Sequence, residues 1–198
     1  MKTQPELIIF DLDGTLIDTA LDFTAVVNGM LSKRALPELP FEAVRAKVSD
    51  GARALVNLAF NVDEGDASYD DLRAELLHEY EDKLAVNSCL FAGLDEALKE
   101  LGNKSIAWGI VTNKPVRFAE PLIKQLGLKP SNNVLLCPEH VSEKKPHPES
   151  LLKAASMLGL KPEQCLYAGD HLRDIEAGNR ANMPTIACHF GYISEGDK

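Results

Sequence analysis

Four apolar residues, Leu7-Ile8-Ile9-Phe10, followed at once by Asp11-Leu12-Asp13-Gly14-Thr15, constrain this chain more than any other stretch. The run is too short for a helix and rich in β-branched residues, which predicts a strand buried on both faces, as in a parallel sheet. Asp11 falls where that strand ends, Asp13 two residues on, and Gly14 lets the backbone turn away. Two carboxylates therefore stand at the carboxyl end of a strand, the edge of an open α/β sheet at which ligands bind. Unpartnered, each raises the other's cost of ionising; a cation removes that cost. Hard oxygen ligands of this kind suit Mg²⁺, which keeps several waters and takes phosphate oxygens. Asp and Gly are also ordinary turn residues, so the pair by itself leaves a plain strand-to-loop turn open.

From about residue 16 to residue 87 the apolar spacing reads as helix throughout. Phe23, Val26, Val27, Met30 and Leu31 stripe one helix, Leu55, Val56 and Ala59 another, and Leu72, Leu76, Tyr80 and Leu84 a third, with a short helical piece near residues 41–48. After Phe91 helix and strand alternate, the mark of βαβ units. Strands are expected at residues 106–112, 133–139, 164–169 and 184–190. The expected organisation is an α/β domain of residues 1–15 and 88–198, with a helical domain of residues 16–87 inserted after the first strand.

Three further stretches sit at strand ends or in the loops that follow. In Thr112-Asn113-Lys114-Pro115 a hydroxyl and the N–H groups opening a helix can form an anion-binding corner, or simply a helix cap. In Lys144-Lys145-Pro146-His147-Pro148 a Lys beside a stiff turn can fix an ammonium where it stabilises charge on phosphoryl oxygens. In Gly169-Asp170-His171-Leu172-Arg173-Asp174 two more acids lie one helical turn apart, near the positive end of the helix dipole.

A formal net charge of −9 argues against a nucleic-acid partner and fits an anionic membrane surface poorly. No segment approaches the roughly 20 apolar residues that span a bilayer, and the N-terminal stretch lacks the pattern of a signal peptide. The cysteines, Cys89, Cys137, Cys165 and Cys188, show no zinc-site spacing and suit a reducing cytoplasm as free thiols. A soluble, cytoplasmic protein is expected, monomer or dimer. A negatively charged substrate then has to meet a local positive focus made of a metal, a few Lys or Arg, and backbone N–H groups.

Taken together and in order, the four stretches resemble the motifs of the haloacid dehalogenase superfamily in its phosphatase form. Asp11-Leu12-Asp13-Gly14-Thr15 matches the first motif at every position, Thr112 the second, Lys145-Pro146 the third, and Gly169-Asp170 with Asp174 the fourth. The resemblance implies a Rossmannoid parallel sheet of strand order 5-4-1-2-3 with a helical cap. It implies Asp11 as the nucleophile on phosphorus, and Asp13 as the acid for the leaving oxygen and then the base for water. Lys145, rather than Lys144, becomes the functional ammonium. Thr112 and Asn113 bind the phosphate, and Asp11, Asp13, Asp170 and Asp174 hold one Mg²⁺, Asp174 from the outer shell or through water. His147 reads as peripheral, and His171 departs from the Ser or Asp usual at its position, which bears on how the metal is tuned but not on its binding.

Over almost its full length the chain is similar to the phosphoglycolate phosphatases. In WGIVTNKPVRFAEPLIKQLGL, LFAGL, GDHLRDIEAG and GYI it is closer still to the bacterial N-acetylmuramic acid 6-phosphate phosphatases. The implied partner is a small phosphorylated metabolite. Specificity is expected in the helical insert, at Asp22, Phe23 and residues 49–53, with Arg53 as a substrate-binding cation. Relatives of this kind carry a last edge strand and helix beyond Gly191-Tyr192-Ile193. A phosphomutase shares all the motifs. A dehalogenase lacks the second acid, and a non-catalytic binding protein should have lost one of Asp11, Asp13, Lys145 and Asp170.

Overall fold

The computed structural model describes residues 4–193. Its first strand, β1 (Leu7–Phe10), leads through a two-residue strand, β2 (Ile17–Asp18), into four helices. These are α1 (Ala20–Ser32), α2 (Phe41–Arg45), α3 (Gly51–Phe60) and α4 (Tyr69–Asp82), followed by a second two-residue strand, β3 (Cys89–Leu90). Alternation then sets in: α5 (Leu94–Asn103), β4 (Ala107–Val111), α6 (Val116–Gln125), β5 (Leu135–Leu136), α7 (Glu149–Met157), β6 (Cys165–Gly169), α8 (Leu172–Arg180) and β7 (Thr185–Ala187).

Five strands make one parallel sheet in the order β5-β4-β1-β6-β7. Leu7 pairs with Ala107 on one side and Cys165 on the other, and Phe10 with Ile110 and Ala168, so the three central strands end level. Alternate side chains of β1 enter different cores, as a strand covered on both faces requires. Leu7 and Ile9 pack with Leu151, Ala154 and Ala177. Phe10 joins Phe118, Leu122 and the apolar stripe of α1, Val26, Val27 and Met30, and that cluster continues through Leu55, Leu76 and Tyr80 of the helical block.

Two expectations are corrected. Residues 16–87 are not all helix, because β2 pairs antiparallel with β3 at Ile17–Leu90 and Asp18–Cys89, a ribbon that ties together the two crossings into the helical block. That ribbon also changes the expected order 5-4-1-2-3: with its two strands counted, the sheet reads 5-4-1-6-7. The strands flanking β1 are those that carry Thr112 and Asp170 at their ends.

Asp22 is the third correction. Far from facing a ligand, it is fully buried, and its Oδ1 accepts the Asn87 N–H (2.7 Å) and side-chain amide (3.1 Å). Its Oδ2 accepts the Ser88 N–H (3.1 Å) and hydroxyl (2.5 Å). One carboxylate on α1 thus satisfies four donors of the returning segment, as a buried acid must.

Candidate active site

The carboxyl ends of β1 and β6 deliver acids, and the segment between β5 and α7 an ammonium, to one point. Lys145 Nζ, almost completely buried, lies 2.7 Å from Asp11 Oδ1, 2.8 Å from Asp174 Oδ1, 2.8 Å from the Tyr167 hydroxyl and 3.1 Å from the Val111 carbonyl. The Asn113 side chain clamps the Lys145 backbone at both polar groups, accepting its N–H (3.1 Å) and donating to its carbonyl (3.0 Å). Asn113 therefore places the lysine, where the sequence suggested a phosphate ligand. The hydroxyl of Thr112 accepts the N–H of Lys114 (3.0 Å), closing the turn at the end of β4.

Asp11, Asp170 and Asp174 each offer a carboxylate oxygen within 4.8 Å of the others. Asp170 accepts from the Thr15 hydroxyl (3.0 Å) and the Tyr192 N–H (2.8 Å). Asp174 accepts from the Tyr167 hydroxyl (2.8 Å) and, on its other oxygen, from the His171 N–H (3.0 Å) at the start of α8. Three buried carboxyls thus face one ammonium. Burial first, then the charges of Asp174 and Asp170, push Asp11 up to about 7 against the lowering pull of Lys145. Asp170 is raised as well, chiefly by burial. Burial would raise Asp174 too, but Lys145 and the bonds from Tyr167 and His171 hold it below the ordinary carboxylate value. Lys145 loses solvation on burial, yet Asp11 and Asp174 keep it charged, with its pKa above the ordinary value. The surplus of negative charge on hard, convergent oxygens fits a divalent cation such as Mg²⁺.

Asp13 belongs to a different cluster. Its Oδ1 accepts from the Thr19 hydroxyl (2.7 Å) and from Lys114 Nζ (3.0 Å), and its side chain is not in the metal-competent group among the described residues. The expectation that Asp13 joins the other three around a metal draws no support from its side chain, which bonds a neighbouring lysine.

Both clusters open into a cleft of about 610 Å³ between the sheet edge and the helical block, with Phe23, Tyr69 and Tyr80 in its wall. Seven Lys or Arg residues line it against five acids, a local excess of positive charge in a chain of net −9. Arg53 is on this wall, but its guanidinium is largely exposed and pairs at 3.6 Å with both Asp63 and Glu64. Arg73, on α4, and Arg117, stacked over the Phe118 ring at 4.4 Å, line the same cleft, and among the described residues neither has an ion-pair partner. Across the cleft Arg173 donates to the Ser49 carbonyl (2.5 Å), and His171 Nε2 lies 3.6 Å from Asp50. His147 stays outside the cleft, 3.5 Å from Glu143.

Sequence reasoning passed over Lys114, Tyr80, Tyr167, Thr15 and Tyr192. Only Lys114 carried a usable signal, standing directly after Thr112-Asn113. Tyr80 read as part of its helix's apolar stripe, and Tyr167 only as part of an expected strand; both are buried in the core as well.

The sequence matches the family described as haloacid dehalogenase-like hydrolase over residues 8–188. It is 46% identical over 190 residues to the N-acetylmuramic acid 6-phosphate phosphatase of Pseudomonas putida, covering 96% of this chain and 85% of that protein. It is 42% identical over 189 residues to the phosphoglycolate phosphatase of Xanthomonas campestris pv. campestris, covering 95% and 85%. A crystal structure described as a predicted phosphoglycolate phosphatase from Haemophilus somnus superposes with a TM-score of 0.81 at 27% identity, covering 97% of this chain and 88% of that one. A match over nearly the whole chain, carried by relatives named as phosphatases, leads to one statement: this protein belongs to the haloacid dehalogenase-like hydrolases.

Proposed function

We propose that the protein is a Mg²⁺-dependent phosphatase that hydrolyses a small, carboxylate-bearing phosphate monoester through an aspartyl-phosphate, with N-acetylmuramic acid 6-phosphate the first candidate and phosphoglycolate the second. One observation carries this reading: Lys145 Nζ at 2.7 Å from Asp11, with Asp170 and Asp174 alongside, at the mouth of a positively lined cleft. The names of the relatives support the choice of substrates.

In this reading residues 16–87 cap a core formed by residues 1–15 and 88–198, and the cap closes the cleft against water. A carboxylate oxygen of Asp11 attacks phosphorus while the bond to the leaving oxygen breaks. Lys145 fixes Asp11 and offsets charge on the phosphoryl oxygens. Asp13 gives its proton to the leaving oxygen and then, as the carboxylate, takes one from the water that attacks the phosphorus; the bond to Asp11 breaks and inorganic phosphate departs. Asp11 and Asp170, with Asp174 behind them, would hold the Mg²⁺, which when bound neutralises phosphoryl charge and orients the group for in-line attack. Arg73 and Arg117, free of ion pairs in the described structure, and Arg53 are the cations that reach the rest of the substrate. Among the described residues no helix is long and apolar enough to cross a membrane.

The deciding experiment measures turnover of N-acetylmuramic acid 6-phosphate, 2-phosphoglycolate and p-nitrophenyl phosphate, with Mg²⁺ and with excess chelator. Faster hydrolysis of one of the first two, lost on chelation, is the expected result. If neither exceeds the aryl phosphate, the substrate assignment fails.

A further inference from the structure

Two lysines are buried among the described residues, Lys145 and Lys114, and the reaction above uses only the first. Lys114 Nζ lies 3.0 and 3.3 Å from the two oxygens of Asp13 and 2.9 Å from the hydroxyl of Tyr80. It sits over two aromatic faces, 4.6 Å from the ring centre of Tyr80 and 5.1 Å from that of Phe23. Those rings are themselves stacked, 4.0 Å apart and 8° from parallel, and Tyr80 leans on Phe118 at 5.5 Å. The ammonium is thus boxed by α1, α4 and the loop after β1, with its bonds aimed at one carboxylate and one phenol.

A lysine side chain is long and rich in rotamers, so a lysine that holds a carboxylate in one orientation must itself be held. The Tyr80 hydroxyl and the aromatic box do that. Tyr80 belongs to the last turn of α4, whereas Asp13 follows β1, so the contact runs from the helical block to the catalytic edge of the sheet. We infer that Lys114 is a positioning residue for Asp13 and that Tyr80 sets Lys114, so that the acid and base carboxylate is aligned only while α4 is seated over the cleft. This rests on the roles given to Asp13 above.

The consequence is specific to proton transfer. An alkyl leaving group needs its oxygen protonated as the phosphorus bond breaks, whereas p-nitrophenolate departs without help. Misaligning Asp13 should therefore hurt the first far more than the second, while general damage to the site would hurt both alike.

The test uses Tyr80→Phe, which keeps the ring and its stack, and Lys114→Met, which keeps the length of the side chain. For both, kcat/KM is measured across aryl phosphates of rising leaving-group pKa and for an alkyl phosphate. For Lys114→Met the alkyl rate should fall about 100-fold, the scale of general acid catalysis, and the p-nitrophenyl rate at least ten times less. Tyr80→Phe should move the same way by a smaller factor, and in both variants the dependence on leaving-group pKa should steepen. An unchanged slope in Tyr80→Phe, or equal losses on all substrates, overturns the inference, and Tyr80→Phe decides alone if Lys114→Met fails to fold. A wild-type protein that hydrolyses no phosphate ester would instead overturn the phosphatase reading beneath it.

Discussion

A Cβ on Gly14 would stand 2.2 Å from Asp170 Oδ2, and the residue adopts φ +85°, a region that side-chain-bearing residues avoid. Gly191 approaches Asp170 from another side, where a Cβ would lie 2.3 Å from the aspartate's own Cβ. Backbone at these two points walls in the acid. Gly14→Ala should therefore cost about 2 kcal/mol or more in urea unfolding and displace Asp170, cutting turnover more than 10-fold. Preserved turnover would mean that the acid tolerates movement. Asp11→Asn is the complementary case: it keeps the shape and removes the oxygen proposed to attack phosphorus, so turnover should vanish while the circular dichroism spectrum persists. The residues that were legible in the sequence, Asp11, Lys145 and Asp170, each sit inside a short word whose spacing carries its meaning. Lys114 and Tyr167 were not legible as functional, because their roles depend on partners distant in the chain. Lys114 meets Asp13 across 101 positions and Tyr80 across 34. Asp22 misled for the same reason, since its neighbours Asn87 and Ser88 lie 65 and 66 positions away.

Helix α1 begins at a junction where several elements share a few polar groups. The Tyr192 hydroxyl accepts the N–H groups of Thr19 (2.6 Å) and Ala20 (3.0 Å) and donates to Asp18 (2.6 Å). It thereby takes the place of a side-chain cap, which Thr19, whose hydroxyl donates to Asp13, does not supply. Three residues later Asp22 holds the segment that returns from α4. Asp22→Ala removes an acceptor that serves two backbone N–H groups, an amide and a hydroxyl, all in or near the interior. Roughly 3 kcal/mol of stability should be lost, and protease cleavage between residues 83 and 90 should rise; Asp22→Asn should lose less. If Asp22→Ala unfolds at the wild-type urea concentration, the clamp contributes nothing. Helices α1 and α4 of this region were readable because their apolar stripes repeat over more than two turns. The ribbon β2–β3 was not, since two residues hold no period, and β5 shrank from an expected seven residues to Leu135–Leu136 because only those two pair with β4.

Over the whole molecule, a chain of net −9 concentrates three carboxyls around one ammonium at a single point, so stability should depend on pH and, if the proposed cation binds there, on metal. Asp11 rises from its ordinary 3.8 to about 7. Between those values the folded, metal-free protein holds a proton that the unfolded chain has released. The stability from this group is therefore complete below about pH 4 and lost as the pH climbs through 7. Removing the charge should reverse the disadvantage, so in chelator Asp11→Asn should melt above wild type at pH 8, by several degrees, with the gap narrowing toward pH 5. Mg²⁺ acts oppositely, because it binds the deprotonated acids and has to displace that proton. Its stabilisation, which grows with occupancy of the folded state alone, should be larger at pH 8 than at pH 5.5 and largely absent in Asp170→Asn. Thermal melts of the three proteins at both pH values, with chelator and with millimolar Mg²⁺, separate the two effects. A magnesium shift that is the same at both pH values, or that survives in Asp170→Asn, would place the cation elsewhere than among Asp11, Asp170 and Asp174.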